Sequence, residues 1–189
     1  MRYVIRNITA ASAIVLAVSV DELKAHIRID FDDEDADLEA KLKAAQQRLE
    51  RHMARPLTAR VLEMTLDAFP CRIGGIIIPR EGVTGIVSVK YTDTSGDEQT
   101  LDPSAYRWSD ALPDQVLPAF ASEWPSAVAC EKGAVRVRFN AGYPDGEVEP
   151  LLVEAVKRYA AYLYDNREAA TAIPPGIISD CAPFRRPQI

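Results

Sequence analysis

Between Leu38 and Met53 the apolar residues Leu38, Leu42, Ala45, Leu49 and Met53 recur at intervals of three and four. That spacing puts them on one stripe of an α-helix. Carboxylates crowd the start of the run, from Asp32 to Asp37, while Lys41, Lys43, Arg48, Arg51 and Arg55 load its later turns, an order that complements the helix dipole. Pro56 ends it. Upstream, Ser19-Val-Asp-Glu22 has the form of a capping box and predicts a short helix through about Ile27. A third helix is expected to carry Pro150 in its first turn and to run to about Glu168, with Leu152, Val156, Tyr159, Ala160 and Leu163 as its apolar stripe.

Between these helices the period changes to two. Leu62, Met64 and Leu66 alternate with polar residues, Ile76-Ile77-Ile78 stops at Pro79, and Ile86, Val87, Val89 and Tyr91 lead into the turn Asp93-Thr-Ser-Gly96. Gln99 to Leu101, Tyr106 to Trp108 and Val135 to Phe139 read as further strands, and Pro103, Pro113, Pro118 and Pro125 keep the segments between them short. At the N-terminus, Arg2 and Arg6 followed by Ile14 to Val18 imitate a signal peptide. Asn7, Thr9 and Ser12 interrupt that run, which is also too short to span a bilayer, so a strand or extended arm is the better reading. The fold class is therefore α+β: a small helical core, two N-terminal helices and one C-terminal helix, with a β-rich insertion between them. A single domain is expected, with an arm or strand over 1–18, helices over 19–56, the insertion over 57–140, a helix over 147–168 and an extended tail over 169–189.

A net charge of −6 and a pI near 5.0 argue against a surface built to wrap phosphate backbones. Cys71, Cys130 and Cys181 are odd in number and form no C-x-x-C pair, which suggests isolated thiols rather than disulfides or zinc. The run Asp30 to Asp37 is the obvious metal candidate, but Asp35 stands where a calcium loop needs glycine and Lys41 where it needs a bidentate glutamate. A solvated helix start is the preferred reading. His26 and His52 have no cysteine or second histidine near in sequence, and no nucleophile elbow, Walker loop or dinucleotide fingerprint is present. Catalytic residues, metals and cofactors are accordingly expected to be none.

Two sets of residues are candidates for contacts with other chains. Arg136 and Arg138 alternate with valines, so both guanidinium groups should emerge on one sheet face and could meet a neighbouring subunit, as could Tyr162 and Tyr164. The tail, with Pro174, Pro175, Pro183 and Pro187, has too little apolar content for a core of its own. It is expected to dock on another protein, with Phe184 as anchor, Arg185 and Arg186 as charge partners, and Ile177 and Ile178 in the same surface.

Three ordered segments carry a family resemblance. They are Glu22 to Arg28 with the acidic-start helix Asp32 to Glu50; then Ile77-Ile-Pro79 with Val87 to Gly96 and Leu101 to Tyr106; then Val135 to Phe139, Ala141-Gly-Tyr143 and the helix from Pro150 closing in Tyr164-Asp-Asn-Arg-Glu168. Together, over roughly residues 17 to 170, they resemble the head-tail connector (adaptor) proteins of long-tailed bacteriophages, including prophage and gene-transfer-agent members. Ala54-Arg-Pro56 and Arg80 to Gly85 depart from the family pattern, both in loops. The resemblance implies a non-enzymatic virion protein made in the bacterial host cytoplasm and placed at the head-tail junction. It implies a homo-oligomeric ring, typically a dodecamer, between the portal protein and a downstream neck or tail protein, with DNA passing through without sequence-specific binding and no membrane contact. The alternatives are another neck or tail component, a soluble binding module, or a small cytoplasmic metal-dependent enzyme using the Asp30 to Asp37 cluster.

Overall fold

The computed structural model describes residues 3–9, 14–71, 73–111, 114–166 and 172–185. The α+β class holds, but the one folding unit expected from length resolves into two compact units, Met1–Ala13 with Arg60–Ala141, and Ile14–Ala59 with Gly142–Ile189. The reason lies in the periodicity: strands with a two-residue repeat and helices with a 3.6-residue repeat each bury their apolar sides against their own kind.

The helical unit holds α1 (Val20–Ile27), α2 (Asp35–Met53), α3 (Pro150–Asp165) and α4 (Pro175–Cys181). The capping box forms as read: the Ser19 Oγ accepts from the Glu22 amide, and the Ser19 amide donates to Glu22 Oε2 at 2.8 Å. Leu38, Leu42, Ala45, Leu49 and Met53 of α2 and Leu152, Val156, Tyr159, Ala160 and Leu163 of α3 are all buried in one cluster. Gln46 is the buried polar residue of α2. Its Oε1 accepts from the Ala17 amide at 2.9 Å, which fastens the chain entering α1 onto the second helix. Where the chain re-enters this unit, Gly142 is buried at φ +107° against the Thr58 backbone.

The β unit holds two antiparallel sheets. In the larger, the order is β1 (Tyr3–Asn7), β2 (Arg60–Leu66), β8 (Val135–Ala141), β4 (Val83–Thr92), β5 (Glu98–Thr100). The smaller runs β3 (Ile76–Ile77), β7 (Gln115–Pro118), β6 (Tyr106–Ser109). The N-terminal arm is thus an edge strand, registered from Tyr3 opposite Leu66 to Asn7 opposite Leu62. Central β8 buries Val135, Val137, Phe139 and Ala141 and turns Arg136 and Arg138 to the outer face, the alternation the sequence foretells.

The extended tail is corrected at Pro175–Cys181, which is helical, followed by a 3-10 turn over Ala182–Phe184. Pro175 sits in the first turn, where its missing N–H costs nothing. Ile177 and Cys181, four apart, supply a small apolar stripe buried in the helical core. The final residues of the predicted third helix, 167 and 168, lie outside the described residues.

Candidate functional site

The sheet face built by Arg136 and Arg138 is a ladder of ion pairs within the chain. Cross-strand register places Arg6, Glu63, Arg138 and Ser88 in one row, and Val4, Thr65, Arg136, Lys90 and Thr100 in the next. Arg138 Nε donates to Glu63 Oε2 at 2.7 Å, and Arg136 reaches Glu98 at 2.7 Å. Lys90 also reaches Glu98, at 2.6 Å. The Lys90 hydrogen bond first, and the Arg136 charge second, hold the Glu98 carboxyl below its ordinary range. The carboxylates that meet these arginines thus come from β2 and β5 of the same chain.

Tyr162 and Tyr164 are half-buried against the helical core. Tyr162 stacks on Tyr159, and the Tyr164 hydroxyl is hydrogen-bonded to Glu34 Oε2. In the C-terminal segment, Ile177 is buried and Phe184, half-buried, packs on the core of its own unit. Phe184, expected as the anchor on another protein, and Ile177, expected in the same surface, thus both face their own unit. Ile178 and Arg185 are exposed; Arg186 lies outside the described residues. Burial first, and the nearby Arg185 guanidinium second, hold the His52 imidazole below its ordinary value. Arg158 reaches Asp180 at 2.5 Å, clipping α4 to α3.

In the acidic segment, the place a metal ion would fill is taken by Lys24. Its ammonium group lies 2.5 Å from Asp32 and 2.9 Å from Asp35, and these hydrogen bonds raise its pKa to about 12. Among the described residues no group of three or more His, Cys, Asp or Glu side chains is arranged to hold a metal ion. Lys24 also holds the Asp32 carboxyl below its ordinary range. The sign of the linkage follows. The Asp32 contribution is present above the ordinary carboxylate pKa of about 3.9 and fades as pH falls through the depressed value; the Lys24 contribution is present below its ordinary value of about 10.4 and fades as pH rises toward about 12. Asp32 is 87% exposed, so water screens the pair and the effect is small. Asp32→Asn is expected to lower the melting temperature slightly at neutral pH and to flatten its fall below pH of about 4; superimposable melting curves for variant and wild type across that range would refute the pairing.

Two surface features escape sequence reading. Phe69 stacks on Trp124 at 4.9 Å and meets Tyr91 edge-on at 5.8 Å, and Trp124 Nε1 donates to the Gly74 carbonyl at 2.7 Å. Phe69 and Trp124 line an open groove of about 780 Å³. Phe120 is 84% exposed, with the Arg107 guanidinium 4.6 Å above its ring. The available signal was Phe69-Pro70 and Trp124-Pro125, aromatic residues fixed before prolines.

Compared with known sequences, residues 17–100 match the family model described as phage gp6-like head-tail connector protein. The connector resemblance read from the sequence is borne out. The matched segment takes in α1, α2 and strands β2 to β5, somewhat under half of the chain. A comparison with curated proteins finds no match. Among solved structures, similarity of fold extends over nearly the whole molecule. A chain from the neck of an empty gene transfer agent (GTA) particle computed with C6 symmetry is 24% identical with a TM-score of 0.80, covering 98% of this chain and 97% of that one. A chain from the virion of a native GTA particle is 23% identical with a TM-score of 0.80, over 98% and 96%. One from the neck of a native GTA particle computed with C12 symmetry is 22% identical with a TM-score of 0.79, over 98% and 97%.

Proposed function

We propose that this chain is a structural, non-catalytic subunit of a phage-like particle, forming a ring between the capsid portal and the next neck or tail component. The observation that carries the reading is the connector match over residues 17–100 combined with a fold shared along 98% of the chain with subunits of GTA necks. Those necks were computed with C6 and C12 symmetry, which supports a closed ring of identical copies and favours twelve. The ring sits at the head-tail junction of the virion after synthesis in the host cytoplasm. Its bore extends the DNA channel without reading sequence, in keeping with the net charge of −6. Among the described residues no helix is long and apolar enough to cross a membrane.

A closed ring of one chain needs heterologous contacts, in which two different patches of the same molecule meet. Arg136, Arg138, Tyr162 and Tyr164 are assigned to these contacts by their partly open surfaces. Ile178, exposed on α4, and Arg185, exposed beyond it, are assigned to the portal side. The test is to mix the purified chain with portal rings and image the mixture beside the chain alone. A ring of this protein stacked on the portal is the expected result. A monomer that ignores the portal overturns the reading.

A further inference from the structure

Resting on that ring reading, we propose that the outer face of the five-stranded sheet docks the acidic segment 30–37 of the next copy, with Phe31 as its apolar anchor. The sheet face carries Arg6, Lys90, Arg136 and Arg138 against Glu63 and Glu98 as its carboxylates, an excess of positive charge on a chain whose net charge is −6. Lys90 and Arg136 share Glu98 between them. Arg6 is exposed and has no ion-pair partner among the described residues. Beside these cations the face leaves Val4 52% exposed, and Val87, at the bulge between Ile86 and Ser88, 48% exposed.

The complementary surface is Asp30-Phe-Asp-Asp-Glu-Asp-Ala-Asp37. Lys24 neutralises Asp32 and Asp35, and Lys41 lies 3.6 Å from Asp37. Asp30 and Asp33 are exposed with no cation partner among the described residues. Phe31, set among these carboxylates, is 47% exposed. An aromatic side chain rimmed by unpaired charge has the composition of an interface centre with a polar rim. The sheet face answers both parts, with valines for the ring and cations for the rim. Every copy carries both surfaces, the two different patches that a heterologous contact needs. Duplex DNA is the weaker occupant: the exposed Val4 and Val87 offer phosphate nothing, whereas they match the Phe31 ring.

The test uses full-length chain and portal rings, with assembly read by sedimentation and electron microscopy. D30K/D33K and R6E/R138E are each expected to weaken ring formation by about tenfold or more, and to do so less as salt is raised. Combining the two sets should restore assembly, which general destabilisation cannot do. Should R6E/R138E melt early, R6E alone against D30K/D33K keeps the charge exchange readable. Rings from D30K/D33K indistinguishable from wild type overturn the contact and leave the connector reading intact. Duplex DNA bound by the wild type and lost in R6E, with ring formation unaltered, gives the face to DNA and overturns it too. A wild type that forms no ring removes the connector reading and the contact together.

Discussion

Gly142→Ala is expected to destabilise the helical unit by at least about 3 kcal/mol. Gly142 has φ +107°, and a methyl group built there stands 2.3 Å from the Thr58 carbonyl oxygen and 2.6 Å from its carbon. Both neighbours are backbone, so no side chain can turn aside to make room. The Thr58 region is itself held: its Oγ1 donates to the Val15 carbonyl at 2.9 Å, and the Leu57 amide donates to Glu50 Oε1 at 2.9 Å. Urea unfolding followed by far-ultraviolet ellipticity measures the effect, and Gly133→Ala supplies the comparison. Gly133 also has positive φ, +73°, but nothing lies within 4 Å of its added methyl, so only the left-handed backbone cost of about 1 kcal/mol applies. Equal losses in the two variants would mean the Thr58 contact yields freely.

Phe139→Ala is expected to cost the β unit about 3–5 kcal/mol. Phe139 is fully buried on central β8, opposite Leu62 of β2 and Ile86 of β4, so its ring fills the join between both neighbouring strands. Both tryptophans of the chain, Trp108 and Trp124, lie in this unit, which makes their fluorescence a selective reporter of its unfolding. Arg138→Ala, one residue away on the opposite face, should cost less than about 1 kcal/mol, because its 2.7 Å pair with Glu63 is partly open to water. A comparable shift from both variants would contradict the alternation.

What was legible in the sequence followed from periodicity and capping. The stripe from Leu38 to Met53, the Ser19 box and the alternation from Val135 to Phe139 are local signals, and each appears as read. Strand β7 was missed because Gln115 to Pro118 is short and ends in proline, and it exists only by pairing with β3 and β6. The tail was read as extended because its prolines outweigh its apolar residues. Yet Pro175 is a good first helical residue, and Ile177 with Cys181 suffices for a helix that leans on α3. At the candidate contact surface, alternation gives the direction of Arg136 and Arg138, but their cross-strand carboxylates depend on register between strands far apart in sequence. No local pattern reports that Glu98 serves both Lys90 and Arg136.

The central place of β8 also governs when this molecule can exist as such during synthesis. The ribosome delivers β1, β2, β4 and β5 first, but β2 and β4 have no hydrogen-bonding seam with each other until residues 135–141 arrive to lie between them. On the helical side, α2 waits for α3, which begins at Pro150. Contacts of such long sequence separation delay folding. A nascent chain that ends before residue 135 therefore has neither core complete, and one that ends before residue 150 still lacks the helical one.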